Sequence, residues 1–210
     1  NSMLAEDIKP SRIERAKQVI SRMVDDMTND RIGLIIFAGD AYTQIPITDD
    51  YPSVKMFLHT TGPGMVSKQG TAIGAAIELA MRSFPTGETS PEENETSKHQ
   101  AIVVITDGEN HEDEAVDAAK KAAQKGIKIF TVGLGDPNGV PIPVSPGSNE
   151  KRRKNDGSVV VSKLNEDLLI ELATLGEGAY IPSARINNLM EELDQLQQDE
   201  FKKKVYADFA

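Results

Sequence analysis

Apolar and polar positions along this chain follow two periods, and the period switches repeatedly. The runs at 31–38 (RIGLIIFA), 101–105 (AIVVI) and 127–132 (IKIFTV) are short and rich in β-branched residues, so they predict strands. The unbroken run at 101–105 predicts a strand buried on both faces, as in a parallel sheet. Residues 41–47 predict a second strand, reached from 31–38 through Gly39-Asp40. Pro46 cannot donate to a ladder, so the two strands read as a hairpin with 41–47 at a sheet edge. Residues 158–161 and 179–181 predict two further short strands.

Helical spacing fills the intervals. Ser11-Arg12-Ile13-Glu14, preceded by Pro10, has the form of a capping box. The stripe Ile13, Ala16, Ile20, Met23, Val24 and Met27 follows it. A short helix is predicted over 52–59, after which 60–69 is a glycine-containing loop. Gly70-Thr71 opens a helix with Ile73, Ala76, Ile77, Ala80 and Met81 on one side. Ala115, Ala118, Ala119 and Ala122 mark another, ended by Gly126. Asn165 caps a helix carrying Leu168, Leu169 and Leu172. A closing helix is predicted from Arg185 to about Val205, apolar at Ile186, Leu189, Met190, Leu193 and Leu196 and more charged beyond. Strands alternating with helices predict a doubly wound, mostly parallel α/β sheet with helices on both faces and one antiparallel edge hairpin. No internal repeat or second domain is visible, so residues 1–210 read as a single domain.

Composition narrows the function. A net charge of -10 argues against nucleic acid as the main partner and suits cations or basic surfaces. Without cysteine there is no disulfide, thiol nucleophile or thiolate metal site. No apolar run is long enough to span a bilayer. The polar stretch 85–98 predicts a surface loop, and the long irregular stretch 134–161 carries the basic run Lys151-Arg152-Arg153-Lys154. That run is the best sequence candidate for contact with an acidic partner or lipid headgroups.

The chemistry gathers where strands end. Thr106-Asp107-Gly108 stops the 101–105 strand, and α/β folds bind ligands beyond the carboxyl ends of their strands. Ser2, Thr71 and Asp107 would supply two hydroxyls and one carboxylate there, hard oxygens suited to Mg2+ or Mn2+. A rival reading is a metal-dependent hydrolase built on Asp107, Glu109, His111 and Asp113. A solvated helix start, where acids are favoured by the dipole, is the better explanation of that cluster. Glycine-rich phosphate loops, G-x-S-x-G and His-Glu-x-x-His are absent from the sequence, which favours a binding module over an enzyme.

These residues resemble the von Willebrand factor A (vWA) domain. Its metal-ion-dependent adhesion site (MIDAS) combines an Asp-x-Ser-x-Ser segment after the first strand, a Thr before a later helix and an Asp after the fourth strand. Asn1-Ser2-Met3 is similar to the end of that segment, Gly70-Thr71-Ala72 to the Thr, and Thr106-Asp107-Gly108-Glu109 to the Asp. NSMLAEDIKPSRIERAK, ITDGENHED, VGLGDPNGVPIP and DGSVVVSKLNEDLL further resemble the Bacteroides aerotolerance (Bat) subgroup. The family's first central strand, with the Asp and first Ser of its segment, has no counterpart in residues 1–210. The expectation is therefore a sheet lacking that strand, with the ion held weakly or not at all. The resemblance implies a non-enzymatic protein-interaction module in which an acidic residue of a protein partner completes the ion's shell. It also implies a membrane-anchored bacterial aerotolerance and stress protein, with the anchor outside this chain and the domain in the periplasm. Residues 185–210 would then serve as a juxtamembrane stalk, and other Bat proteins or a MoxR-type AAA+ ATPase would be partners. A structural assembly domain with a vestigial metal site is the remaining alternative.

Overall fold

The computed structural model describes residues 2–66, 70–85, 100–109 and 114–188, with residues 186–188 described by backbone alone. The anchor of the molecule is a parallel three-stranded sheet made of β3 (Ala101–Thr106), β4 (Lys128–Gly133) and β7 (Tyr180–Pro182), in the spatial order β3-β4-β7. Ala101 pairs with Lys128 and Thr106 with Gly133, and Thr131 pairs with Tyr180. An antiparallel hairpin of β1 (Ile32–Phe37) and β2 (Ala41–Thr48) forms a separate ladder. Among the described residues β1 pairs only with β2, and β3 only with β4. Pro46 is exposed on β2, at the outer edge of the hairpin, where its missing donor costs no ladder bond.

Burial explains which strand is central. β4 is buried along nearly its whole length because it has a partner on each side. The expectation that 101–105 is buried on both faces needs correction. Ile102, Val104 and Thr106 are buried, but Val103 and Ile105 are only partly so and Ala101 is exposed. With a neighbour on one side only, β3 retains a partly open flank.

Helices cover both faces. α3 (Ile73–Ser83), α4 (Glu114–Gln124) and α5 (Glu166–Leu175) close one face through Ile73, Ile77, Ala118, Ala122 and Leu172 against Ile102, Val104 and Ile129. On the other face α1 (Arg12–Asp26) places Ala16 and Val19 against Val132, Leu134 and Ile181. α2 (Tyr51–Thr60) and the far end of α1 pack on the hairpin through Val24, Val54 and Ile45. Full burial of side chains such as Ile77 or Ile129 contributes about 1.5–3 kcal/mol each relative to exposure.

Local chemistry sets the helix ends. The Ser11 hydroxyl accepts from the Glu14 N–H, the Asp50 carboxylate from Ser53 and the Asn165 amide oxygen from Leu168. The alanine stripe on α4 lets α3 come close. A Cβ on Gly74 would sit 2.8 Å from the Glu114 carbonyl carbon, so the first turns of α3 and α4 touch.

Two boundaries differ from expectation. The short strand expected at 158–161 is β6 (Val161–Ser162), pairing antiparallel with β5 (Val140–Pro141). Bridges from Pro143 to Lys151 and from Arg153 to Val159 fold the rest of 134–161 into a compact ribbon. The closing segment begins as a 3-10 helix at Ser183–Asn188 instead of an α-helix from 185, and its continuation lies outside the described residues. The expected surface loop at 85–98 lies outside them too, apart from Pro85.

Candidate metal centre

β3 delivers Asp107 immediately beyond its last residue, and the aspartate is almost wholly buried. Its Oδ2 accepts from Arg12 Nη1 at 3.1 Å and from the Ser162 hydroxyl at 3.3 Å. Among the described residues its Oδ1 accepts only a long bond, 3.3 Å, from the Glu109 N–H. Its backbone carbonyl accepts from the Asn165 N–H, tying the end of β3 to the start of α5.

Arg12 organises this corner. It opens α1, and its side chain is fully buried. Nε and Nη2 fork onto Asp7, at 2.9 Å to Oδ1 and 2.8 Å to Oδ2, while Nη1 also donates to the Ser162 hydroxyl at 2.6 Å. A buried guanidinium is tolerable only with its donors satisfied, and this one faces two carboxylates. Asp7 additionally accepts from the Asp136 and Ile8 N–H groups. Burial pushes the Asp7 carboxyl upward, but Arg12 and the two backbone donors outweigh it and hold the group below its ordinary range.

Ser2 begins a 3-10 turn over Ser2–Leu4, its carbonyl accepting from Ala5. The Ala5 carbonyl accepts from the Arg12 N–H, so the Ser2 segment is fixed to the same corner as Asp107. Thr71 arrives from another direction. The N–H of the next residue, Ala72, donates to the Ala38 carbonyl just past β1. Contact between the first turns of α3 and α4 brings Gly74, three residues after Thr71, against the Glu114 backbone. Among the described residues neither the Ser2 nor the Thr71 hydroxyl has a hydrogen-bond partner, and no bond joins the two to Asp107 or to each other.

The donor set suits a small hard ion. Two hydroxyls that have no partner among the described residues, and one carboxylate oxygen with a single long bond, are oxygen donors of the kind such an ion takes. Among the described residues no group of three or more His, Cys, Asp or Glu side chains converges as a metal cage. An ion here would rest on few protein charges.

The hydrolase cluster gains no such support. Glu109 spends its Oε1 on the Lys163 N–H, while His111 and Asp113 lie outside the described residues. The basic run is partly absorbed into the ribbon. Arg152 donates to the Val144 carbonyl and Arg153 to the Gly157 carbonyl.

Sequence reasoning missed Arg12, Asp7 and Ser162. Arg12 was legible only as a capping-box position, yet it lies on the face of Ala16 and Val19, four and seven residues on, and that face is buried. A cation on an apolar stripe was the available signal.

With this geometry in hand, comparison with known proteins fixes the class. The model of the von Willebrand factor type A domain matches residues 5–142, and the chain belongs to that family. Within it, the chain is similar to an aerotolerance-related membrane protein from Bacteroides fragilis NCTC 9343, at 50% identity and a TM-score of 0.84 over 94% of each chain. BatB from Bacteroides thetaiotaomicron is similar at 49% identity and a TM-score of 0.83, again over 94% of each. A UPF0353 protein from Nocardia farcinica (strain IFM 10152) is 29% identical over 94% of this chain but 59% of its own length, so the chain spans little more than half of that relative. The fold alone recurs in proximal thread matrix protein 1 of the mussel byssus, solved with a zinc-occupied MIDAS motif, at 17% identity and a TM-score of 0.57 over 88% of this chain and 39% of that one. Among the described residues no helix is long and apolar enough to cross a membrane.

Proposed function

We propose that this chain is a non-enzymatic protein-interaction module that takes Mg2+ or Mn2+ at Ser2, Thr71 and Asp107 and uses it to capture a carboxylate of a protein partner. The observation that carries the reading is the contrast at the strand end. Among the described residues, Oδ2 of Asp107 is held by Arg12 and Ser162, Oδ1 takes one long bond from the Glu109 N–H, and neither hydroxyl has a partner. A divalent ion on one carboxylate keeps net positive charge and so attracts an acid. Ser2 and Thr71 bind the ion through their hydroxyls, Asp107 presents Oδ1, and the partner's carboxylate fills a remaining position. The zinc-occupied MIDAS of the mussel protein is a precedent in the fold.

The similarity to the Bacteroides proteins supports the setting we propose. Residues 1–210 act as one vWA domain in the periplasm, anchored to the inner membrane by segments outside this chain, with 185–210 as a stalk. Other Bat proteins and a MoxR-type AAA+ ATPase are the partners to test first in an aerotolerance and stress role.

A thermal melt with EDTA, Mg2+ or Mn2+ tests the ion, because a ligand of the folded state raises the midpoint by mass action. The expected result is a midpoint rise with Mn2+ in the wild type that disappears in Thr71→Ala. Equal melts under all conditions would contradict the reading. They would favour a structural assembly domain, a role that the burial and ion pairing of Asp107 also suit.

A further inference from the structure

Two carboxylates share one guanidinium in the buried corner. Their hydrogen bonding is uneven. Asp7 is saturated, with the Arg12 fork across both oxygens and two backbone N–H groups. Asp107 is not. Arg12 and Ser162 occupy Oδ2 and leave Oδ1 with the long Glu109 contact. Arg12 itself cannot move aside easily. A Cβ on Gly135, were there one, would stand 2.9 Å from its guanidinium carbon, so backbone lies directly against the group.

We propose that Arg12 is a positioning residue that fixes Asp107 in a one-oxygen binding mode and thereby sets the ion preference of the site. The proposal rests on the ion reading above. Ca2+ favours large shells in which a carboxylate can bind through both oxygens, whereas Mg2+ holds near-ideal octahedral geometry with single oxygens and waters. With Oδ2 committed to Arg12 and Ser162, Asp107 offers a small octahedral ion what it needs and denies Ca2+ its second oxygen. Freeing Oδ2 removes that discrimination.

The test is competition between Ca2+ and Mn2+, followed by the paramagnetic resonance of free Mn2+, for the wild type and four variants. Arg12→Met lowers the preference for Mn2+ over Ca2+ by about tenfold, equivalent to about 1.4 kcal/mol. Arg12→Lys and Ser162→Ala lower it less, in the same direction, and carry the comparison if Arg12→Met does not fold. Asp7→Asn weakens the fold but leaves Arg12 on Asp107, so the preference stays at the wild-type value. A purely structural Arg12 would leave the preference unchanged in every variant that folds. Mn2+ binding with unchanged preference in Arg12→Lys and Ser162→Ala overturns the role of Arg12 and spares the ion site. Failure of the wild type to bind Mn2+ overturns both.

Discussion

The two sides of the candidate site are built by different physics. On the Asp107 side, a buried ion-pair cluster ties together the N-terminal segment, the start of α1, the end of β3 and the ribbon strand β6. On the Thr71 side, the hairpin and α3 are held by apolar packing and one backbone bond from Ala72 to Ala38. The first side is directional and costly to disturb, because removing one partner strands a buried charge. The second is adaptable, because hydrophobic contact is non-directional. The proposed ion site would join one rigid wall to one adjustable wall, which suits an ion whose last ligand comes from another molecule.

The strongest way to break the comparison is Arg12→Met. It leaves Asp7 and Asp107 buried without their cation and should cost about 3–5 kcal/mol in urea unfolding at neutral pH. A loss under about 1 kcal/mol would mean the rigid wall is not electrostatic in origin.

Asp7→Asn is the next largest, at about 2 kcal/mol, and it sharpens the account through its pH dependence. The folded-state pKa of Asp7 is held below its ordinary value of 3.8, so the carboxylate stabilises the fold above that pH and the gain is lost as pH falls through the folded value. The stability gap between wild type and Asp7→Asn should therefore be full at pH 7 and close below about pH 4. A gap constant from pH 7 to pH 3 would remove the charge from the explanation.

Gly74→Ala probes the seam between the two sides. Its methyl group would meet Glu114 backbone at 2.8 Å, forcing the helix starts apart at a cost of about 1–3 kcal/mol. Thermal melts should show that loss together with a weaker Mn2+ response. Thr71→Ala has the smallest expected effect, within about 0.5 kcal/mol of wild-type stability in chemical unfolding without metal. A larger loss would give Thr71 a role in the fold.

Much of the fold was legible in the sequence because period and caps are local signals. The hairpin with Pro46 on its outer edge, the alanine face of α4 and the Asn165 cap all follow from spacing and hydrogen-bonding chemistry. Asp107 was legible as a carboxylate at a strand end. Its capture by Arg12 was not, because the partners are 95 residues apart in the chain. Ser162, 150 residues from Arg12, sits one position past the strand expected there. The expected apolar stripe of α1 included Ile13, which is only partly buried, and left out Arg12 and Val19, which are buried. A capping box told where the helix starts, but tertiary ion pairing decided which of its residues faces inward.

The central claim is that Ser2, Thr71 and Asp107 form one ion site, and paramagnetic broadening by Mn2+ in an amide NMR spectrum tests it most directly. Low Mn2+ should first erase the amide signals of residues 2–5, 71–72 and 107–108 together, with the exposed acids Asp25 and Asp49 affected only at higher concentration. Broadening that starts at those surface acids, or that reaches Asp107 without Thr71, would contradict the account.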